Sequence, residues 1–337
     1  MPILIILGLS YLYPFGRDYH ISNTKINGVS LVGTPYEIHL EDISQIKDVR
    51  ATWISLIPYA FSIKDKPHVY FNTKKQWWGE KIDGIILLSS YAKNNQMKIL
   101  MKPHVWVRGD GWPGEFELTK ESDWEKWEDN YRNYILTYAR LADSLKVDLF
   151  CLGTEYRKAA VLRKTFWKGL IREVKKIYTG KLTYAANWDN YQKIEFWNQL
   201  DYIGIDAYFP LSTSKTPTYE ELKKAWIPLE RELKVYAEKH KKTILFTEYG
   251  YQSKDYNCSG HWNVNSDTIS VNMISQKNAY HAFYDTFWDK DWIAGGFLWK
   301  WYPGKSDSGG PFHKEYTPQN KPAMEVIRKY YELTSSL

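Results

Sequence analysis

Apolar residues along this chain gather in short runs separated by amphipathic stretches. Eight runs read as strands: 26–33 (INGVSLVG), 51–57 (ATWISLI), 98–105 (KILMKPHV), 148–154 (DLFCLGT region), 182–187 (LTYAAN), 202–206 (YIGID), 243–248 (TILFTE) and 294–299 (AGGFLW). Short, nearly continuous apolar runs suit strands buried on both faces. Between them the spacing predicts helices over 75–96, 122–145, 165–178, 218–239, 274–287 and 321–333. In 122–145 apolar residues recur at Trp124, Trp127, Tyr131, Ile135, Tyr138 and Leu141, one face of a helix. Ser122 reads as its N-cap, with Glu125 three residues on.

Eight strands alternating with helices predict an α/β fold, a (β/α)8 TIM barrel in a single domain. The alternative, an open doubly wound sheet, is disfavoured because neither G-x-G-x-x-G after the first strand nor a phosphate-binding G-x-x-x-x-G-K-[ST] loop occurs. No internal repeat or compositional break divides the chain, so residues 26–337 are read as the barrel. Residues 1–25 are a separate N-terminal segment. Its MPILIILGLS run fits a signal remnant or a packed cover for the barrel bottom, and lacks a basic region and a clear cleavage site. Nothing in the chain is long and apolar enough to span a bilayer as a helix. The long irregular segments 106–119, 250–270 and 300–320 all follow strand C-termini, the face where barrel enzymes keep their chemistry.

Composition changes this picture in three places. Aromatic content is 17%, with 16 Trp and 27 Tyr. Such rings either fill the core or offer flat faces to the C–H side of a sugar. The net charge of +6 is spread among acidic residues on helical stretches such as 218–242, so nucleic acid is not expected as a partner. The two cysteines, Cys151 in an apolar strand and Cys258 in a polar loop, form no metal-binding motif, and neither a metal nor a cofactor is expected.

The strand ends carry the candidate chemistry. They supply Lys102 and His104; Thr154, Glu155 and Arg157; Asn187, Trp188 and Asp189; Asp206 and Tyr208; Glu248 and Tyr249; and Trp299, Lys300 and Trp301. Glu155 and Glu248 end the fourth and seventh strands, in LFCLGTEY and ILFTEYGY. A carboxylate there costs desolvation unless it is bonded or working. Strands four and seven face each other across a barrel, so the two acids can converge, as glycoside hydrolysis requires of its carboxylate pair. Around them, Trp299 is a candidate floor under a sugar ring, Tyr208 a donor to a carboxylate, and His104 a partner for a hydroxyl. Lys102, Trp106, Trp112, Asn187 and Trp188 are further substrate-binding candidates. Each could equally be a packed structural residue.

At these residues the chain resembles the clan A retaining glycosidases, and more closely glycoside hydrolase family 113, whose characterised members are mainly endo-β-1,4-mannanases. The matching stretches are WISLIPYAF (53–61), ILMKPHVWV (99–107), LGTEY (152–156), LTYAANWDNY (182–191), LDYIGIDAYFP (200–210), ILFTEYGYQS (244–253) and GFLWKWYP (296–303). The resemblance implies a retaining enzyme acting on a β-1,4-mannan or manno-oligosaccharide, with Glu155 as acid/base, Glu248 as nucleophile, Tyr208 near the nucleophile and Trp299 as platform. Many clan members carry Asn before the acid/base to bind the sugar 2-hydroxyl. Thr154 stands there, so another group must meet that hydroxyl, and Asn187 is the expected one. A different β-glycan, or a carbohydrate-binding barrel without turnover, is the alternative. Action on a polymer implies a secreted or periplasmic protein, although the N-terminal signal is weak and a cytoplasmic one fits as well. Oligomeric state and endo or exo action are not legible.

Overall fold

The computed structural model describes residues 25–109, 111–260, 269–304 and 308–335, so the expectation for the N-terminal segment lies, Lys25 apart, outside the described residues. The strands are β1 (Ile26–Leu31), β2 (Trp53–Leu56), β3 (Tyr59–Ile63), β4 (Tyr70–Phe71), β5 (Lys98–Met101), β6 (His104–Arg108), β7 (Leu149–Thr154), β8 (Lys181–Asn187), β9 (Ile203–Asp206), β10 (Ile244–Tyr249) and β11 (Ile293–Trp301). The helices are α1 (Leu40–Ser44), α2 (Ile82–Asn94), α3 (Glu121–Ser144), α4 (Arg157–Leu162), α5 (Lys164–Lys175), α6 (Tyr219–His240), α7 (Met273–Phe287) and α8 (Ala323–Thr334).

Strands β1, β2, β5, β7, β8, β9, β10 and β11 close in that order into a parallel barrel. With the intervening helices this is the (β/α)8 architecture the pattern predicts. One connection departs from it: β8 reaches β9 through two single 3-10 turns, Tyr191–Lys193 and Trp197–Gln199, with no α-helix between. Inside the barrel Ile26, Leu100, Leu149, Cys151, Ala185, Leu245 and Phe297 form a closed apolar plug. Gly28 is needed there, because a Cβ would lie 2.3 Å from the Phe297 ring. Outside the strands a second, larger apolar layer packs the helices. Most of the aromatic excess belongs to this layer. Trp127, Trp167, Trp197, Trp226, Trp288 and Trp301 are fully buried, as are Tyr131 and Tyr138 on the predicted face of α3 and Tyr134 beside them. Cys258, expected in a polar loop, is buried in the same layer.

Four predicted boundaries shift. The run 98–105 is two strands, not one. Pro103 offers no backbone N–H, and the chain leaves the barrel there. The chain makes the same exit at Pro58, just past the run 51–57, so β3 pairs in parallel with β6, from Tyr59 opposite His104 to Ile63 opposite Arg108. With antiparallel β4 they make a small sheet standing above the rim. The Tyr134 hydroxyl ties it down by donating to the carbonyls of Pro58 (2.9 Å) and His104 (3.0 Å). The helix expected over 75–96 begins at Ile82. Asn72 Oδ1 accepts from the Ile82 N–H and Gln76 Oε1 from the Thr73 N–H, which holds residues 72–81 as a loop. Helix α3 is capped at Lys120 rather than Ser122, and Glu121 in its first turn is gripped by Arg163. The segment 165–178 is the second of two helices, α4 and α5, which meet at Arg163.

Candidate active site

Parallel strands place all eight C-termini on one rim, and the strand-end residues line up around it. Glu155 follows β7 directly and adopts φ +53°, a left-handed conformation that costs a residue with a Cβ about 1–2 kcal/mol. Its N–H donates to the Ala185 carbonyl (2.8 Å), and its own carbonyl accepts from the Arg157 N–H (2.7 Å). These two backbone bonds hold the residue in that conformation. Its Oε2 accepts a 2.6 Å bond from Trp112 Nε1. Trp112 is held in turn. Arg157 lies over its ring, and Arg157 and Lys158 pair with Glu115 and Glu117 on the same loop. Gly114 gives the ring room, since a Cβ there would be 2.1 Å from it.

Glu248 lies within β10 and is nearly buried. Its Oε2 accepts from the Tyr208 hydroxyl at 2.7 Å and its Oε1 from Lys102 Nζ at 2.5 Å. Both oxygens therefore act as acceptors. His104 Nε2 lies 3.4 Å from Oε1 but lacks hydrogen-bond geometry and has no other partner among the described residues. Burial, reinforced by the Lys102 charge, drives the His104 pKa well below its ordinary value, so the ring is neutral.

Lys102 is not a cleft residue. It is fully buried beneath Glu248, 3.2 Å from Asp206 Oδ1. The expectation that it meets substrate is thereby corrected. Burial favours the neutral amine, but the Asp206 and Glu248 carboxylates outweigh it and hold Lys102 above its usual range. Asp206 also accepts from the Thr247 hydroxyl (2.7 Å), and burial together with the Glu248 charge raises its pKa to about 7. Two acids thus flank one cation. Glu155 feels this cluster too. Burial first, then the charges of Asp206 and Glu248, push it well above the usual carboxylate range, with Lys102 and the Trp112 N–H opposing.

Three cavities run along the rim. The central one, about 450 Å³, is lined by both glutamates together with Tyr208, His104, Trp299, Tyr59 and Tyr316. Trp299 and His104 lie parallel with ring centroids 5.9 Å apart. A second cavity, about 440 Å³, shares Trp112, Glu155 and Tyr208 with the first and continues over Arg157, Asn187, Trp188 and Asp189. A third, about 220 Å³, adjoins the central one through Tyr59, Trp106 and Trp299. Glu155, Glu248, Tyr208, His104, Trp299, Trp106 and Trp112 therefore share one groove. Asn187 and Trp188 lie in it too, but on the Glu155 side, away from Glu248. Asn187 is also occupied: its Nδ2 donates to Asp189 (3.0 Å) and its Oδ1 accepts from the Trp188 N–H (3.0 Å). Thr154 spends its hydroxyl on the Pro103 carbonyl (3.2 Å).

Asp206 stands among the strand-end residues, but only its 0% exposure beside Lys102 separates it from the others. Tyr59 and Tyr316 escape sequence reasoning because their segments reach the rim only through the exit at Pro58 and the path of the chain after β11. Among the described residues no cluster of His, Cys, Asp and Glu could hold a metal ion, and no helix is long and apolar enough to cross a membrane.

No curated protein sequence matches the chain. A beta-mannanase of family 113 from Alicyclobacillus acidocaldarius, solved in complex with ManMIm, superposes with TM-score 0.78 at 23% identity, over 94% of this chain and 99% of that one. A family 113 beta-1,4-mannanase gives 0.77 at 22% identity, over 92% and 99%. A beta-glucuronidase from Faecalibacterium prausnitzii gives 0.61 at 13% identity, over 93% of this chain and 50% of that one. The family model for Glycoside Hydrolase Family 113 matches residues 37–321. That match takes in every barrel strand except β1, and with it both rim glutamates: the chain is a glycoside hydrolase belonging to Glycoside Hydrolase Family 113.

Proposed function

We propose that this hydrolase cleaves β-1,4-mannosidic bonds in mannan or manno-oligosaccharides with retention of configuration. The observation that carries the reading is the pair of glutamates on one cavity in different surroundings. Glu248 accepts on both oxygens, the state of an ionised carboxylate. Glu155 has a pKa raised by burial and by two neighbouring acids, the state of a proton donor. Glu248 attacks the anomeric carbon while Glu155 protonates the departing oxygen. Once Glu248 is an ester its charge no longer raises the Glu155 pKa, and Glu155 can then take a proton from the incoming water. Trp299 floors the sugar in the central cavity. His104, rather than Asn187, is the reader of the 2-hydroxyl: it is neutral, its Nε2 is unsatisfied, and it faces Glu248 Oε1. The mannan substrate rests on the similarity to family 113 mannanases.

The test uses Glu155→Gln and Glu248→Gln on mannohexaose, with the anomer of the first product followed by NMR. Both variants should lose activity by at least about a thousandfold. Near wild-type turnover by either variant, or an inverted first product, would refute the mechanism. A panel of β-glucans, xylans and galactans in place of mannan tests the substrate.

A further inference from the structure

A protein that buries part of a carboxylate ordinarily supplies a cation or donors for it. Glu80 does not fit this pattern. It ends the single turn Trp78–Glu80, is partly buried, and its carboxylate makes no hydrogen bond or ion pair among the described residues. Burial raises its pKa to about 7. Its side chain lies in the wall of the third cavity, across from Trp299 and Lys300. Trp77 and Trp106, 50% and 53% exposed, stand in the same wall. Two half-exposed indoles beside an unpaired acid are a poor arrangement for a core and a good one for a sugar, whose C–H face stacks on rings and whose hydroxyls need polar partners.

The order of the cavities fixes where such a sugar lies relative to the bond that breaks. The leaving group departs on the side of the proton donor. The second cavity contains Glu155 without Glu248, so it takes the leaving group. The third contains neither glutamate and adjoins the central cavity at its far end. At about 220 Å³ it is half the size of the central cavity.

We infer that Glu80 is a specificity-determining residue for the hexose that occupies this third cavity, on the non-leaving side of the scissile bond. The inference rests on the function proposed above. Glu80 bonds hydroxyls of that hexose through its carboxyl oxygens.

The experiment compares wild type, Glu80→Gln and Glu80→Ala on two nitrophenyl glycosides, the β-mannoside and the β-1,4-mannobioside. The mannobioside places its second sugar in the third cavity. The Glu80→Ala loss in kcat/KM on the mannobioside should exceed its loss on the mannoside by about ten- to a hundredfold, the scale of hydrogen bonds to a charged group. Glu80→Gln, of the same size, should fall between. Equal losses on the two substrates, or none, would overturn the inference, since a merely destabilised protein loses both alike. If the wild type releases nitrophenol from neither mannoside but does so from another β-glycoside pair, the mannan reading fails, and the same comparison on that pair decides for or against Glu80.

Discussion

Lys102 Nζ lies 2.5 Å from Glu248 Oε1 and 3.2 Å from Asp206 Oδ1, wholly shielded from solvent. One cation therefore serves two acids, and a third, Glu155, feels all of them. Asp206 raises the Glu155 pKa and Lys102 lowers it. Neutralising either should move the alkaline limb of kcat/KM, which reports the proton donor, in opposite directions. Asp206→Asn removes a negative charge, so Glu155 loses its proton more easily and the limb moves to lower pH. Lys102→Met removes the positive charge, and the limb moves to higher pH. Removing one member of a buried pair also costs about 3–5 kcal/mol of stability. Lys102→Met should therefore melt much earlier than wild type, and the Lys102→Met/Asp206→Asn double variant should recover part of that loss. Shifts of the same sign in the two single variants would contradict this account of the cluster.

The indole of Trp112 is the hydrogen-bond donor to Glu155, and the loop that carries it is clamped by Arg157 and Lys158, two and three residues beyond that glutamate. Glu155 and its partner are thus placed by one short stretch of chain. The N–H bond favours the ionised form of Glu155. Trp112→Phe keeps a ring and removes the N–H, so Glu155 should hold its proton more tightly and the alkaline limb should rise by roughly one pH unit, about 1.4 kcal/mol. A substrate with an activated leaving group needs little protonation and should lose less rate than an unactivated oligosaccharide. A Trp112→Phe profile superimposable on wild type would show that the ring only packs.

The sequence discloses the barrel because each strand is a short apolar run, and a run buried on both faces needs no partner to be recognised. It discloses Glu155 and Glu248 for a related reason: an acid at the end of such a run is conspicuous. Three other features stay hidden, each for its own cause. The side sheet of β3, β4 and β6 depends on two prolines acting in concert, Pro58 and Pro103, and either alone reads as an ordinary interruption. Lys102 looks like a cleft residue because it neighbours His104, but the break at Pro103 turns only His104 upward and leaves Lys102 beneath the nearly buried Glu248. Glu80 sits in a stretch with helical periodicity, and only the turn held by Asn72 and Gln76 carries it to the groove. Tryptophan content was an unspecific guide, since most of the indoles pack the layer between barrel and helices.

His104 offers the sharpest way to separate substrate reading from support. It stands on β6, neutral, stacked 5.9 Å from Trp299, with its Nε2 unsatisfied and 3.4 Å from Glu248 Oε1. A sugar in the central cavity would place its 2-hydroxyl close to the attacked carbon, and hence between Glu248 and the His104 ring. Mannose and glucose differ only in the orientation of that hydroxyl, so the group that meets it sets the preference. A buried polar atom left unpaired penalises a substrate that lacks the matching hydroxyl. Replacing His104 by Ala should therefore lower kcat/KM on a nitrophenyl β-mannoside by about ten- to a hundredfold and on its 2-deoxy analogue by much less. The measured quantity is the ratio of the two losses. Were His104 only a prop for Trp299, both substrates would suffer equally, because the platform beneath the ring is common to them. Asn187→Ala is the companion variant. Asn187 lies on the Glu155 side of the groove and is already bonded to Asp189 and the Trp188 N–H. Its loss should leave the 2-deoxy ratio at the wild-type value, and a ratio that instead collapsed in Asn187→Ala would return the 2-hydroxyl to Asn187.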